Sequence, residues 1–196
     1  VGGKQWTSMA SVKKSCRGVD VIMPDKIPKI GFGVYGLDAG QETGRSVLEA
    51  LSLGYRLIDT GAIYFNESDV GWAVRHSGIC REEIFVTSKL WMQDYEYTEA
   101  QKAIDRSLRN LKLDYIDLYL LHQPYGDVYS AWEALEKAVS DGKIRMIGVS
   151  NFTQRWLKEF LEITKGAIKP AVNQVECNLL FQQEELSEYM KIQGIR

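Results

Sequence analysis

One stretch of sequence decides how the chain is interpreted, namely Asp59-Thr60-Gly61-Ala62-Ile63-Tyr64-Phe65-Asn66-Glu67. It follows a short apolar run, Tyr55 to Ile58, and precedes residues with helical spacing. A carboxylate and a phenol therefore lie five positions apart at the end of a predicted strand. Parallel α/β proteins build their active sites at the carboxyl ends of strands, so this stretch predicts a functional site.

Two further polar residues end the apolar runs that come next along the chain. Lys89 follows the run from Ile84 to Ser88, and His122 follows the run from Ile116 to Leu121. Proton-handling side chains therefore come at the ends of three consecutive predicted strands. Each one alone has an ordinary explanation, such as a loop cap, a surface charge or a packing aromatic, but the set favours a shared site.

The chemistry of these side chains is that of proton delivery to a carbonyl oxygen while a hydride reaches the carbon. A phenol is a weak acid at neutral pH, and a nearby ammonium such as Lys89 would lower the pKa of Tyr64. Lys89 needs a partner if it is to stay charged in a partly buried place, and Asp59 can supply it. His122 can orient a polar oxygen of the substrate.

Composition narrows the class of protein. The chain has 196 residues, a net charge of -2 and 45% hydrophobic residues, which predicts one globular domain without nucleic-acid partners. No apolar run approaches the roughly 20 residues of a membrane helix. Cys16, Cys80 and Cys177 are scattered, and the two histidines have no metal-ligand spacing. We therefore expect a cytoplasmic protein with no metal and no membrane partner.

Strands alternate with helices from Lys29 onward. Thr98 is the predicted N-cap of the third helix, and Asp141-Gly142 should end the fourth. The pattern makes about six βα units, which fits either an open doubly wound sheet or a (β/α)8 TIM barrel that lacks two units. The predicted strands are Ile30–Val34, Leu57–Asp59, Ile84–Ser88, Ile116–Leu121, Ile144–Val149 and Ala171–Val175.

Two motifs match those of other classes of protein, but the sequence around each motif argues against that class. Gly31 to Gly36 matches the G-x-G-x-x-G pattern of dinucleotide-binding folds, but these glycines lie within a predicted strand instead of opening a helix. The location of Gly33 distinguishes the two architectures. Asp59-Thr60-Gly61 matches the loop of aspartic proteases, which need two such carboxylates on an all-β scaffold, whereas this chain carries one copy among six predicted helices.

The motifs together resemble those of the aldo-keto reductase family, over about residues 26–196. The family's loop D-T-A-x-x-Y-x-N-E matches Asp59 to Glu67 except at Gly61. Gln123 after the histidine is similar to the prokaryote-like members. Further resemblance lies in the segments Val86–Trp91, Asp114–His122, Gly142–Arg145, Ile147–Phe152 and Val172–Glu176, together with Pro170.

This resemblance implies a (β/α)8 barrel and NAD(P)H-dependent reduction of aldehydes or ketones, with NADPH expected and NADH as the alternative. It implies that Tyr64 is the general acid, that Lys89 and Asp59 tune it, and that His122 orients a small carbonyl substrate. The implied cofactor-binding residues are Gly33, Val34, Asp59, Ser150, Asn151 and Gln174. The implied substrate-binding residues are Tyr35, Tyr64, Trp91 and His122.

The resemblance also implies parts that the 196 residues do not contain. In the family, the seventh and eighth strands supply an aromatic ring for the nicotinamide and a phosphate site, and a C-terminal segment closes the pocket. We therefore expect residues 26–196 to be a partial barrel, strands one to six, with unpaired edges that invite self-association. Residues 1–25 are expected to be a loose leader, in which Val19 to Met23 form one arm of a hairpin. The alternative is an inactive or non-enzymatic truncated barrel.

Overall fold

The computed structural model describes residues 27–164 and 168–196. The predicted leader, residues 1–25 with its hairpin arm, lies outside the described residues. The strands are β1 (Gly31–Gly33), β2 (Leu57–Asp59), β3 (Phe85–Leu90), β4 (Ile116–Leu121), β5 (Ile144–Ser150) and β6 (Asn173–Gln174). The helices are α1 (Gln41–Ser52), α2 (Glu67–His76), α3 (Tyr97–Leu111), α4 (Val128–Ser140), α5 (Gln154–Ile163) and α6 (Glu184–Gln193).

The strands form one parallel sheet whose order follows the chain, from β1 to β6. Gly33 lies opposite Asp59, so β1 and β2 end at the same level, whereas Asp59 lies opposite Thr87 and β3 continues to Leu90. Because every strand is added on the same side, the sheet curls into part of a (β/α)8 barrel. A doubly wound sheet reverses its strand order. That alternative is therefore wrong: the first two glycines of the G-x-G-x-x-G pattern lie in β1, and Gly36 lies in the turn that follows it.

Side chains along each strand alternate between the two faces of the sheet, and this alternation divides the hydrophobic core into two parts. Tyr119 and Leu121 of β4 pack with the helices, whereas Leu118 and Leu120 pack in a second cluster with Met146. Successive side chains of a strand point to opposite faces, and both faces of this sheet are covered. Every residue of β3 and β4 is buried as a result. β4 is apolar except for Asp117 and Tyr119, whereas β3 also carries the buried polar residues Thr87, Ser88 and Lys89.

Some predicted boundaries are wrong. β3 extends to Leu90, so Lys89 lies within the strand and not after it. β6 has two residues, fewer than predicted. The N-cap of α3 is Glu96, not Thr98, because the Glu96 carboxylate accepts a hydrogen bond of 3.1 Å from the backbone N–H of Glu99. The predicted end of α4 is confirmed, with Asp141 as its C-cap.

The edge of β6 is partly occupied by the last residue of the chain. The N–H of Arg196 donates to the carbonyl of Ala171 at 3.0 Å, and the N–H of Asn173 donates to the carbonyl of Arg196 at 2.9 Å. The Arg196 guanidinium also donates to the carbonyl of Ile27 at 2.7 Å. The prediction of an unpaired edge is therefore wrong for this part of strand six. Within the described residues, β1 pairs with β2 alone.

Candidate active site

The four predicted proton-handling residues lie together at the carboxyl edge of the sheet. Asp59 ends β2, Lys89 is the penultimate residue of β3, and His122 directly follows β4. Tyr64 lies on the short 3-10 turn Ala62–Tyr64, between β2 and α2. The parallel register brings these side chains into contact although they come from separate segments of the chain.

A buried ion pair forms the base of the site. The Lys89 side chain is 2% exposed, and its ammonium donates to Asp59 Oδ1 and, at 2.9 Å, to the carbonyl oxygen of Thr60. Burial lowers the pKa of Lys89, while the charge and the hydrogen bond of Asp59 act to raise it. The prediction that Asp59 is the partner of Lys89 is confirmed. A buried ammonium without a partner would be costly, so Asp59 favours the charged form of Lys89.

The turn before α2 holds Tyr64 over this ion pair. The N–H of Tyr64 donates to the carbonyl of Gly61 at 2.9 Å, and Phe65 ends the turn in the left-handed conformation with φ 57°. The Lys89 ammonium lies 5.0 Å from the centre of the Tyr64 ring. Gly61 has an extended backbone, and a Cβ atom there would lie 3.3 Å from the Tyr64 ring. Glycine at this position therefore leaves room beside the phenol.

The pKa of Tyr64 is raised to about 12, chiefly by burial and further by the charges of Asp59 and Tyr35. The sequence predicted that the ammonium of Lys89 would lower this pKa. The net shift is upward instead, because burial and the carboxylate of Asp59 disfavour the phenolate. Tyr64 therefore keeps its proton at neutral pH and is available as an acid.

His122 faces Tyr64 as a neutral imidazole. Its Nε2 atom lies 3.5 Å from the Tyr64 hydroxyl oxygen, and its ring makes an edge contact with Trp91, with centroids 5.1 Å apart. Burial and the charge of Lys89 lower the pKa of His122 to about 4. At neutral pH the ring can therefore donate one hydrogen bond and accept another.

The three neutral polar residues predicted to hold an amide lie at the ends of β5 and β6. The Ser150 hydroxyl donates to the carbonyl of Gln174 at 2.9 Å, and the Asn151 side chain donates to the carbonyl of His122 at 3.0 Å. The Gln174 amide donates to Asp59 Oδ2 at 2.9 Å. This last contact, which the sequence did not reveal, joins the polar set to the proton-handling set.

A cavity of about 600 Å³ opens beside Tyr64 and His122. All four predicted substrate-binding residues line it, and the rings of Tyr35 and Tyr64 lie 5.1 Å apart. The cavity thus presents aromatic walls around the phenol and the imidazole. Its remaining lining residues are Gly36, Leu37, Asp38, Ile63 and Gln123.

The two predicted cofactor residues on and after β1 differ in their surroundings. A Cβ atom at Gly33 would have open space around it, so another molecule can approach the backbone there. Val34 is fully buried, its N–H donates to Asp59, and its carbonyl accepts from Asn66. The side chain and the backbone polar groups of Val34 are thus engaged within the protein, and its contact with a cofactor stays a prediction.

Tyr95 supports the site and was missed in the sequence. Its hydroxyl donates to the carbonyl of Gln123 at 2.9 Å and accepts from the N–H of Gln123 at 3.0 Å. These bonds fix the chain directly after His122. In the sequence, Tyr95 is one of three large apolar or aromatic residues in the segment between β3 and α3, and nothing in the pattern distinguishes it from Trp91 and Met92. Burial raises the pKa of Tyr95, so its hydroxyl stays protonated.

Metal and membrane sites were also considered for the described residues. In 27–164 and 168–196, no three His, Cys, Asp or Glu side chains lie close enough to hold a metal ion. No helix in the same ranges is both long enough and apolar enough to span a bilayer.

The fold and the site define a class, that of parallel β/α barrels with an Asp-Tyr-Lys-His set at the carboxyl edge of the strands. Residues 29–196 match the sequence profile described as the Aldo/keto reductase family. The chain belongs to this family.

Individual relatives agree with this assignment. The chain is 47% identical over 191 residues to the glyoxal reductase of Bacillus subtilis (strain 168), covering 97% of this chain and 66% of that protein. It is 45% identical over 171 residues to the 9,11-endoperoxide prostaglandin H2 reductase of Trypanosoma cruzi (strain CL Brener), covering 87% of this chain and 60% of that protein. The chain therefore spans 60–66% of the length of these curated relatives.

Solved structures show the same barrel. The crystal structure of an aldo/keto reductase from Brucella melitensis superposes with a TM-score of 0.82 at 41% identity, covering 86% of this chain and 66% of that one. The crystal structure of MGS-M4, an aldo-keto reductase enzyme from a Medee basin deep-sea metagenome library, gives a TM-score of 0.82 at 43% identity. The match covers 87% of this chain and 62% of that one.

Proposed function

We propose that this protein is an NAD(P)H-dependent oxidoreductase that reduces aldehydes or ketones to alcohols, with Tyr64 as the general acid. The observation that carries the proposal is the position of the Tyr64 phenol, between the buried Lys89–Asp59 pair and the neutral His122, at the wall of the cavity. Membership of the family and the names of the reductase relatives support it. The proposal concerns the activity of the whole protein. The chain spans 60–66% of the length of the two curated relatives described above.

The polar set fits a nicotinamide. Ser150, Asn151 and Gln174 carry neutral donors and acceptors, as the uncharged carboxamide of that group requires. These residues would hold the ring of the cofactor, with NADPH expected and NADH as the alternative. When bound, the cofactor supplies a hydride to the carbonyl carbon of the substrate. While it donates to Asp59, the Gln174 amide still has a second N–H and its Oε1 acceptor with which to bind this group.

The remaining chemistry belongs to side chains of this protein. His122 donates a hydrogen bond from Nε2 to the carbonyl oxygen and so orients the substrate. As negative charge develops on that oxygen, Tyr64 transfers its proton to it. A pKa of about 12 keeps the phenol protonated until the oxygen becomes the stronger base. The ammonium of Lys89, 5.0 Å from the ring, then stabilises the phenolate, and Asp59 holds that ammonium in place.

The test is a turnover assay on the purified full-length protein with NADPH and, separately, NADH. A panel of small aldehydes and ketones is offered, and it includes glyoxal because of the name of the Bacillus subtilis relative. We expect consumption of the cofactor that saturates with the carbonyl compound and yields an equal amount of alcohol. Failure with both cofactors, together with no quenching of tryptophan fluorescence by either, would contradict the proposal and favour a non-enzymatic barrel.

A further inference from the structure

We infer that Asn66 is a positioning residue that fixes Tyr35 against Tyr64 and thereby sets the shape of the substrate cavity. The inference rests on the proposed function, because it assigns a wall of that cavity to the substrate. Asn66 touches neither the cavity nor the reacting groups, and it acts through the backbone of the segment that carries Tyr35.

The side chain of Asn66 is fully buried and satisfied on both sides. Its Nδ2 atom donates to the carbonyl of Val34 at 3.0 Å and to the carbonyl of Leu37 at 3.4 Å. Its Oδ1 atom accepts from the Thr60 hydroxyl at 2.9 Å. Because the two carbonyls can only accept, the end of the amide that faces them is the nitrogen, and the Thr60 hydroxyl therefore donates to Oδ1.

The two carbonyls belong to the first and last residues of a tight turn. The N–H of Leu37 donates to the carbonyl of Val34 at 3.2 Å, and Gly36 takes the left-handed conformation with φ 80° that such a turn needs. Tyr35 lies inside this turn. Its side chain is 80% exposed, yet its ring lies 5.1 Å from the Tyr64 ring.

An exposed tyrosine has little packing to hold it, so the position of Tyr35 depends on its backbone. Asn66 lies two residues after Tyr64, and its side chain donates a hydrogen bond to the turn that carries Tyr35. One amide therefore links the two segments whose tyrosine rings form walls of the cavity. Loss of this amide frees the Tyr35 turn. The expected result is weaker binding of the carbonyl substrate, with a smaller effect on the chemical step.

The experiment is a double-mutant cycle in the full-length protein with Asn66→Ala and Tyr35→Ala. Each single change should raise KM for the carbonyl substrate by about three- to tenfold, which is the range of an aromatic contact. The double variant should have the KM of Tyr35→Ala alone, because Asn66 acts through that ring. A merely structural role would instead raise KM by the same factor with and without Tyr35.

Asn110→Ala is the matched control. The Asn110 amide donates to Glu67 Oε2 at 3.1 Å, next to Asn66 in sequence, but it makes no bond to the Tyr35 turn. Its removal is expected to lower stability without changing KM. If Asn66→Ala does not fold, Asn66→Asp keeps the size of the side chain and the acceptor for Thr60. Its KM should rise with pH as the introduced carboxyl group ionises, because the protonated form can still donate to the Val34 carbonyl and the carboxylate cannot.

A second readout is independent of turnover. In protein labelled at tyrosine, nuclear Overhauser contacts between the rings of Tyr35 and Tyr64 should be present in the parent and in Asn110→Ala, and absent in Asn66→Ala. Persistence of these contacts in Asn66→Ala, or an additive KM effect in the cycle, would overturn the inference. An inactive parent that shows the contacts and loses them in Asn66→Ala would support the positioning role and contradict the proposed activity alone.

Discussion

Replacing Asp59 by asparagine should destabilise the fold, because the change removes the counter-charge of a buried lysine. The Lys89 side chain is 2% exposed and Asp59 is 16% exposed. Removing one partner of a buried ion pair costs about 3–5 kcal/mol. We expect about 3 kcal/mol, at the low end of this range, because Thr60 still accepts from the ammonium and Asp59 is not fully buried. The assay is denaturant unfolding at neutral pH, followed by tryptophan fluorescence.

The pH dependence of the Asp59→Asn variant gives a sharper test. Asp59 raises the pKa of Lys89, so its loss drives the native pKa of Lys89 further below that of the unfolded chain. The unfolded state then binds a proton that the native variant does not bind. The free energy of unfolding therefore rises with pH up to about 10.4, the ordinary pKa of lysine. The difference in unfolding free energy between the parent and the variant should therefore decrease from neutral pH to about pH 10.4.

The control is the double variant Asp59→Asn with Lys89→Met. With both charges removed, most of the lost stability should return, since an apolar replacement of a buried pair is often neutral. If Asp59→Asn lowered the free energy of unfolding by less than about 1 kcal/mol, which is typical of exposed ion pairs, the reasoning would be refuted. A deficit that does not change with pH would refute it as well.

Three further predictions concern the site and its scaffold. Because the pKa of His122 is lowered to about 4, turnover should show no step from its protonation between about pH 5 and 8, and a pH profile of kcat checks this. Gly71→Ala should lower the free energy of unfolding by about 1–3 kcal/mol in a denaturant titration, because a Cβ atom there would overlap the Leu111 carbonyl. Gln174→Leu should raise the dissociation constant for NADPH about tenfold in a fluorescence titration, because it removes an amide from the polar set.

Much of the site follows from the sequence because parallel strands align their carboxyl ends. Asp59, Lys89 and His122 each come at the end of an apolar run, and such runs in consecutive βα units are neighbours in the sheet. The ion pair between Asp59 and Lys89 could therefore be predicted before any side chain was placed. Strand order in the sheet, which excludes the doubly wound fold, required the structure.

Other features depend on distances that no spacing in the sequence encodes. The bond from Gln174 to Asp59 joins residues 115 positions apart and requires the curvature of the barrel. The direction of the Tyr64 pKa shift is set chiefly by burial and then by the carboxylate of Asp59, and the sequence revealed only which charges were near. The N-cap of α3 is Glu96, a residue type that N-cap preferences do not favour, because α3 begins at Tyr97, and only the backbone geometry shows where the helix begins.

The measurement that tests the central claim most directly compares Tyr64→Phe with the parent in the full-length protein. Turnover of a small aldehyde and binding of NADPH are measured side by side. We predict that kcat falls by at least about 100-fold, the usual contribution of a general acid, while the dissociation constant for NADPH stays the same. Turnover in Tyr64→Phe equal to that of the parent would contradict the assignment of Tyr64 as the acid.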